Sequence, residues 1–143
     1  MNSDTVKLLK SCNVGCKYAN SGMEQVLPYV KNSRMKNAIE LCNEKHYEIV
    51  SICSMLLREN GKNEKEPAPL KLATARIKTD VKLTFSPTTR TVASIMVNGC
   101  GVGTNAICKA LKNFSKADGE SVEIAKSIIK TQQEFMKEMI EYY

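Results

Sequence analysis

The side chains best suited to binding a soft metal are one histidine and six cysteines. The histidine is His46, and the cysteines are Cys12, Cys16, Cys42, Cys53, Cys100 and Cys108. Thiolates and a neutral imidazole are ligands that zinc and other soft divalent metals accept in proteins. No two cysteines have the Cys-x-x-Cys spacing, so the sequence predicts neither a zinc knuckle nor a thioredoxin-like redox motif.

Four long helices must position these residues. Apolar side chains recur at every third or fourth residue over residues 3–31, 34–60, 88–114 and 118–142, and this period indicates amphipathic helices. A polar, proline-bearing loop at residues 62–69 and a shorter helix at residues 70–85 lie between the second and third long helices. Tight turns after the first and third long helices predict two helical hairpins joined by one long crossover, in a single all-α domain of residues 1–143. A plain up-down-up-down bundle with an extra short helix is the alternative.

Residues that begin and end helices refine these boundaries. N-caps are expected at Ser3 or Asp4, at Ser33, and at Asp118 or Ser121. Pro28 lies near the end of the first helix, where a proline interrupts the backbone hydrogen bonds, so we expect a kink there.

The third long helix contains a cluster of glycines. Its apolar pattern predicts that Gly99, Val102, Gly103 and Ala106 point into the core. Glycine is unfavourable inside a helix unless its lack of a side chain is used. Gly99, Gly101 and Gly103 therefore predict the close approach of a neighbouring backbone, a bulky side chain or a ligand.

One polar or soft side chain of each helix falls near the middle of the bundle. The midpoints of the helices place Cys16, His46, Cys100 and Gln132 at a similar depth. Cys16, His46 and Cys100 are therefore candidate ligands for zinc or another soft divalent metal. Our leading interpretation is instead an inert core, in which cysteines pack as small apolar side chains and His46 has a partner such as Gln132 or a backbone carbonyl. A haem or a small apolar ligand is a third option.

The helix pattern resembles that of the ferritin-like superfamily. The segments Ile95–Gly103 and Ile129–Tyr143 are similar to small bacterial ferritin-like domains of uncharacterised function. The resemblance implies a ferritin-like four-helix bundle with two hairpins and a long crossover. It also implies the superfamily's di-iron site, which takes a Glu from each of two helices and a Glu-x-x-His from each of the other two.

The carboxylates that such a di-iron site requires are largely missing. No Asp or Glu occurs from Val81 to Ala117, so the third helix supplies none. The remaining candidates are Glu24 on the first helix, Glu40, Glu44 and Glu48 on the second, and Glu134 and Glu138 on the fourth. Asn43 occupies the position three residues before His46, and the fourth helix has no histidine. We therefore expect a bundle without a di-iron site.

These features favour a non-enzymatic structural, stress-related or protein-interaction module without a cofactor. The alternative is a metal- or cofactor-binding bundle that uses Cys16, His46 and Cys100. The formal net charge is +6, but the basic residues are scattered and the chain has only three Phe and five Tyr for base stacking. Nucleic acid is therefore not expected as a partner.

Location and partners are constrained mainly by what the sequence lacks. The N-terminus has no signal-peptide pattern, and no uninterrupted apolar run reaches the length of a membrane helix. We therefore expect a cytoplasmic protein with reduced cysteines and no membrane contact. A homodimer and a complex with another protein both remain open.

Overall fold

The described part of the chain is all-α. The computed structural model describes residues 1–68, 78–80, 82–83 and 88–143, and no β-strand occurs in those ranges. The long helices are α1 (Ser3–Val26), α2 (Ser33–Glu59), α3 (Thr89–Asn113) and α4 (Gly119–Ile140). All four lie where the apolar periodicity predicts them. Most of the predicted short helix at residues 70–85 lies outside the described residues, and residues 78–80 and 82–83 within it are helical.

Each long helix begins at a polar side chain that accepts a backbone hydrogen bond. The N-caps are Asn2, Asn32, Thr88 and Asp118. Asp118 was predicted as a cap. Asn2 caps α1 in place of Ser3 or Asp4, and Asn32 caps α2 in place of Ser33. Asparagine caps a helix at least as well as serine, so both replacements are reasonable. The end of α1 also differs from the prediction. The α-helix stops at Val26 and continues as a 3₁₀ turn, Leu27–Tyr29, because Pro28 cannot donate to the α-helical ladder.

The first helix lies beside the turn that joins the last two. Asn2 Nδ2 donates to the Lys116 carbonyl at 2.9 Å, and the Lys116 N–H donates to Asp4 Oδ2 at 2.9 Å. The Asp118 N–H donates to Thr5 Oγ1 at 2.8 Å. These bonds fix the start of α1 next to the end of α3 and the start of α4, so α1 is antiparallel to α3.

The helices pack as two hairpins in a square arrangement. The closest pairs are α1 with α2, α3 with α4, α1 with α3, and α2 with α4. The two consecutive helices α2 and α3 therefore lie across the diagonal from each other. In an up-down-up-down bundle these two helices would be antiparallel neighbours, so the alternative predicted from the sequence does not describe this packing.

Several described residues between the hairpins contact α1. Lys17 Nζ, near the middle of α1, contacts Glu64 at 2.7 Å and Glu66 at 2.8 Å. Farther along α1, the Ala68 N–H donates to Tyr18 Oη at 2.8 Å, and Gln25 Nε2 donates to Asp80 Oδ1 at 2.9 Å. The crossover thus carries the chain from one end of the bundle to the other, and α2 and α3 are parallel.

The described residues of the core form two apolar clusters. The upper cluster, at the end where α1 stops, contains Met23, Val26, Met35, Ile39, Cys42, Leu83, Val92, Ala93, Met96, Phe135 and Met139. The lower cluster contains Leu8, Leu9, Cys12, Cys16, Cys53, Leu57, Ile107, Ala110, Ala125 and Ile128. The buried polar residues His46 and Gln132 belong to neither cluster, and on their helices they lie between residues of the upper and lower clusters.

The inward face of α3 differs from the prediction. Val102 is 74% exposed, and Gly99 and Ala106 are also exposed, although all three were expected to point inward. No charged residue occurs between Arg90 and Lys109, so the contrast that normally marks the outer face of a helix is absent. Among the described residues, α3 is also the one helix whose length and composition would suffice to cross a membrane.

Candidate functional site

His46 lies in the middle of the bundle, and both of its ring nitrogens are within hydrogen-bonding distance of a partner. Its Nδ1 lies 2.7 Å from the Cys42 carbonyl oxygen, and its Nε2 lies 3.3 Å from Gln132 Nε2. The Gln132 amide oxygen accepts a hydrogen bond of 2.8 Å from Thr104 Oγ1. These contacts join α3, α4 and α2 in one series, which we call the midplane chain: Thr104, Gln132, His46 and the Cys42 carbonyl.

The midplane chain assigns the tautomer of His46. An amide nitrogen only donates, so His46 Nε2 must accept from Gln132. The ring proton then resides on Nδ1 and is donated to the Cys42 carbonyl, which is placed one helical turn earlier on α2. Both ring nitrogens are thus engaged while the imidazole is neutral.

Burial keeps the imidazole neutral. Removal from water lowers the pKa of His46 below its ordinary value, and the hydrogen bond to the Cys42 carbonyl opposes that effect less strongly. A metal ion would need the lone pair on Nε2, which already accepts from Gln132. Metal binding at this ring therefore requires Gln132 to move away.

The predicted cysteine ligands lie in different parts of the core. Cys16 belongs to the lower cluster, whereas Cys100 is half-buried and packs against the upper cluster. Cys42 places a sulfur against the histidine, with Sγ 3.6 Å from His46 Nδ1. The structure thus brings His46 together with Gln132 and Cys42, while Cys16 and Cys100 pack with opposite clusters.

The buried thiols are poor ligands and poor nucleophiles as they stand. Burial raises the pKa of Cys42, Cys53 and Cys100 to about 12. Burial raises the pKa of Cys12 and Cys16 as well, and neighbouring thiols add to the shift. Thiolates rather than thiols attack substrates and bind metals. Within the residues that the structure describes, no group of three or more His, Cys, Asp or Glu side chains is arranged to hold a metal ion.

The carboxylates considered for a di-iron site lie on the outside of the bundle. Glu24, Glu40, Glu44, Glu48, Glu134 and Glu138 are all exposed. Glu24 accepts a hydrogen bond from the Tyr47 hydroxyl on the neighbouring helix. His46 and Gln132, rather than any of these carboxylates, are the polar side chains buried in the middle of the bundle.

Two buried asparagines tie α1 to α2. Asn13 Nδ2 donates to the Val50 carbonyl at 3.2 Å and to Ser54 Oγ at 3.1 Å. Asn20 Nδ2 donates to the Asn43 carbonyl at 2.9 Å and to Asn43 Oδ1 at 2.7 Å. The Oδ1 atoms of Asn13 and Asn20 are buried and have no partner in the described part of the chain. The sequence signal for both is an amide at an apolar position of a helix.

One glycine of α3 makes room for the midplane chain. A methyl group at Gly103 would lie 3.1 Å from Gln132 Nε2, which is closer than carbon and nitrogen ordinarily pack. The expectation of a close approach is therefore correct at Gly103. At Gly99 and Gly101 an added methyl group would meet no described atom within 4 Å, so neither glycine makes a close approach to another described part of the chain.

Two surface grooves lie apart from the midplane chain. One is lined by Lys17, Asn20, Ser21, Glu24, Tyr47 and Val50. The other is lined by Tyr29, Val30, Lys31, Met35, Thr88, Thr89 and Val92. His46, Gln132 and the cysteines line neither groove, so neither opens onto the midplane chain.

No protein-family model matches the chain, and comparisons with curated proteins and with solved structures found no significant similarity.

Proposed function

We propose that this protein is a ferritin-like bundle that acts as a non-catalytic structural or protein-interaction module. The arrangement that supports the ferritin-like assignment is the pair of hairpins joined by a crossover along α1. Such a crossover makes the second and third helices parallel and diagonal, which is how ferritin-like bundles differ from plain up-down-up-down bundles.

The observation that carries the non-catalytic assignment is the midplane chain. A metal site needs ligands with available lone pairs, and an acid–base catalyst needs a ring nitrogen that faces a substrate. At His46, one nitrogen donates to the Cys42 carbonyl and the other accepts from Gln132. The amide of Gln132 is held in turn by Thr104. The ring is therefore used to connect three helices.

The second candidate is a bundle that binds zinc or another soft divalent metal. The observation in its favour is the position of Cys42 Sγ, 3.6 Å from His46 Nδ1. Binding beside this sulfur would require that Nδ1 give up its proton and its hydrogen bond to the Cys42 carbonyl, and that Nε2 take the proton instead. It would also require that the raised pKa of the thiol fall and that Cys16 or Cys100 approach from the neighbouring clusters. The metal-free midplane chain is the simpler arrangement because it needs none of these changes.

Elemental analysis separates the two candidates. The protein is purified without a histidine tag under anaerobic conditions, and its zinc and iron contents are compared with those of His46→Ala. We expect far less than one metal ion per chain in both proteins, and no change in thermal unfolding on addition of a chelator. About one ion per chain that disappears in His46→Ala would overturn the proposal and establish the metal-binding function.

A further inference from the structure

The outward side of α2 has a second regular pattern, separate from the one that faces the core. The outer stripe consists of Ala38, Leu41, Lys45, Glu48, Ile52 and Met55, which follow one another at alternating spacings of three and four. Arg34 and Glu59 continue the same spacing at its two ends. The same spacing is found in the seam of a left-handed helix pair, where these positions meet a facing helix.

The outer stripe is open to solvent except at Ala38, which is half-buried and also packs against the upper cluster. Leu41 is 54% exposed, Ile52 is 41% exposed and Met55 is 48% exposed. Single exposed apolar side chains are ordinary, but Ile52 and Met55 are neighbours on the stripe, and Leu41 lies on the same stripe beyond Lys45 and Glu48.

The charged side chains of the outer stripe form no close ion pair within the described residues. Lys45 and Glu48 are exposed and form no ion pair in the part of the chain that the structure describes. Arg34 makes one long contact of 3.5 Å with Glu141, between two side chains that are both mostly exposed. Such a contact contributes little to stability, so Arg34 can readily exchange its partner.

The order of residues in the outer stripe is self-complementary. When a second α2 lies antiparallel, with the two-fold axis between His46 and Tyr47, Leu41 faces Ile52 of the other copy and Lys45 faces Glu48. In the same register, Ala38 faces Met55 and Arg34 faces Glu59. Every apolar residue then meets an apolar residue, and every base meets an acid. Each pairing occurs twice because of the two-fold symmetry.

Other ways of pairing the outer stripe with itself are less favourable. A parallel pairing places Lys45 on Lys45 and Glu48 on Glu48, so like charges meet. An antiparallel pairing shifted by seven residues places Leu41 opposite Glu59 and Lys45 opposite Met55, or Leu41 opposite Lys45. Charge complementarity therefore selects one register and identifies the occupant as a second copy of this chain.

We propose that the protein forms a homodimer through the outer stripe, with the two α2 helices antiparallel. The proposal deepens the proposed function and rests on it, because it names the partner of the interaction module. The two can fail separately, because metal content tests the midplane chain while molecular mass tests the outer stripe.

The test is the mass of the full-length protein in solution, measured by sedimentation velocity over a dilution series in the presence of a reductant. The reductant removes any disulfide through Cys108, which is exposed. We expect a concentration-dependent dimer. A monomer at every concentration would overturn the proposal.

Charge reversal tests the register. Glu48→Lys and Lys45→Glu each place like charges across the axis, so each variant alone should be monomeric at concentrations where the wild type is dimeric. The double variant Lys45→Glu/Glu48→Lys restores opposite charges only in the antiparallel register and should dimerise again. A mixture of the two single variants should also dimerise. Glu40→Lys makes the same charge change at an exposed position outside the outer stripe and should leave the dimer intact.

Two further outcomes would contradict the proposal. A dimer that survives both single reversals and Leu41→Lys must use another surface. A double variant that stays monomeric while its helical circular dichroism is unchanged would exclude the antiparallel register. All substituted side chains are exposed, so folding is expected to be preserved.

Discussion

The polar groups on the inner and outer faces of α2 differ in whether they have partners within the described residues. On the inner face, His46 is buried and both ring nitrogens are hydrogen-bonded within the chain. On the outer face, Lys45 and Glu48 flank that histidine in sequence, yet neither forms an ion pair in the described residues. The polar groups of the inner face thus find their partners within one chain, whereas we propose that those of the outer stripe find theirs in a second copy. This contrast is why we propose interaction, rather than chemistry at the midplane, as the function.

The largest expected effect comes from removing one member of the inner face. His46→Leu leaves Gln132 Nε2 buried without its acceptor, so we expect the free energy of unfolding to fall by about 1–3 kcal/mol. The double variant His46→Leu/Gln132→Leu removes both polar groups and should recover part of that loss, because Thr104 can donate to its own helix instead. Urea unfolding at one fixed protein concentration measures both values, since self-association adds to apparent stability.

That comparison has a clear contrary result. If His46→Leu unfolds at the same urea concentration as the wild type, the bond between His46 and Gln132 contributes nothing. The hydrogen bonds of the midplane chain would then not contribute to the stability of the fold.

The next effect is a dependence of stability on pH. The pKa of His46 is lower in the folded protein than its ordinary value of 6.5, because burial disfavours the imidazolium. The unfolded chain therefore binds the proton more readily, and stability is lost as the pH falls from above 6.5 towards the folded pKa. The wild type should lose more stability than His46→Leu/Gln132→Leu between pH 7 and 5. Parallel pH profiles for the two proteins would show that His46 is not the group responsible.

A smaller effect separates two glycines on α3. Gly101→Ala should raise the free energy of unfolding by about 0.5–1 kcal/mol, because alanine favours the helix and the added methyl group meets nothing within 4 Å. Gly103→Ala places its methyl group against Gln132 Nε2 and should give no gain or a loss. Thermal unfolding of the two variants provides the comparison. Equal stabilisation by both would mean that Gln132 is not held against α3.

The smallest effect concerns thiol accessibility and leaves stability unchanged. Cys108 is exposed and should react with iodoacetamide in the native protein. Cys12, Cys16, Cys42 and Cys53 are buried, and burial raises the pKa of each thiol, so they should react only after unfolding. Half-buried Cys100 should react at an intermediate rate. Peptide mass spectrometry after timed labelling measures each rate. Native labelling of Cys16 as fast as that of Cys108 would show that the lower cluster is open.

Much of the helical pattern could be predicted from the sequence, because α1, α2 and α4 carry strong contrast between apolar and charged positions. The pairing of His46 with Gln132 could also be suggested, since each is a polar residue on an apolar stripe at mid-depth. The inward face of α3 could not, because the stretch between Arg90 and Lys109 has no charge to mark its outside.

The relative stagger of the helices was also beyond the sequence. Helix midpoints place Cys100 in the middle layer, but Thr104, one turn later on α3, is the residue that reaches Gln132. Axial offsets between helices depend on how side chains pack across the interface, and a single helix's own pattern does not encode them.

The most direct test of the account is the protonation state of the His46 ring, measured by ¹H–¹⁵N correlation of its side chain in the native protein. The chain has one histidine, so the signals need no further assignment. The account predicts a neutral ring with its proton on Nδ1, an unprotonated Nε2 that accepts from Gln132, and no change when zinc is added in excess. A proton on Nε2, or a Nε2 resonance that shifts when zinc binds, would contradict the closed midplane chain.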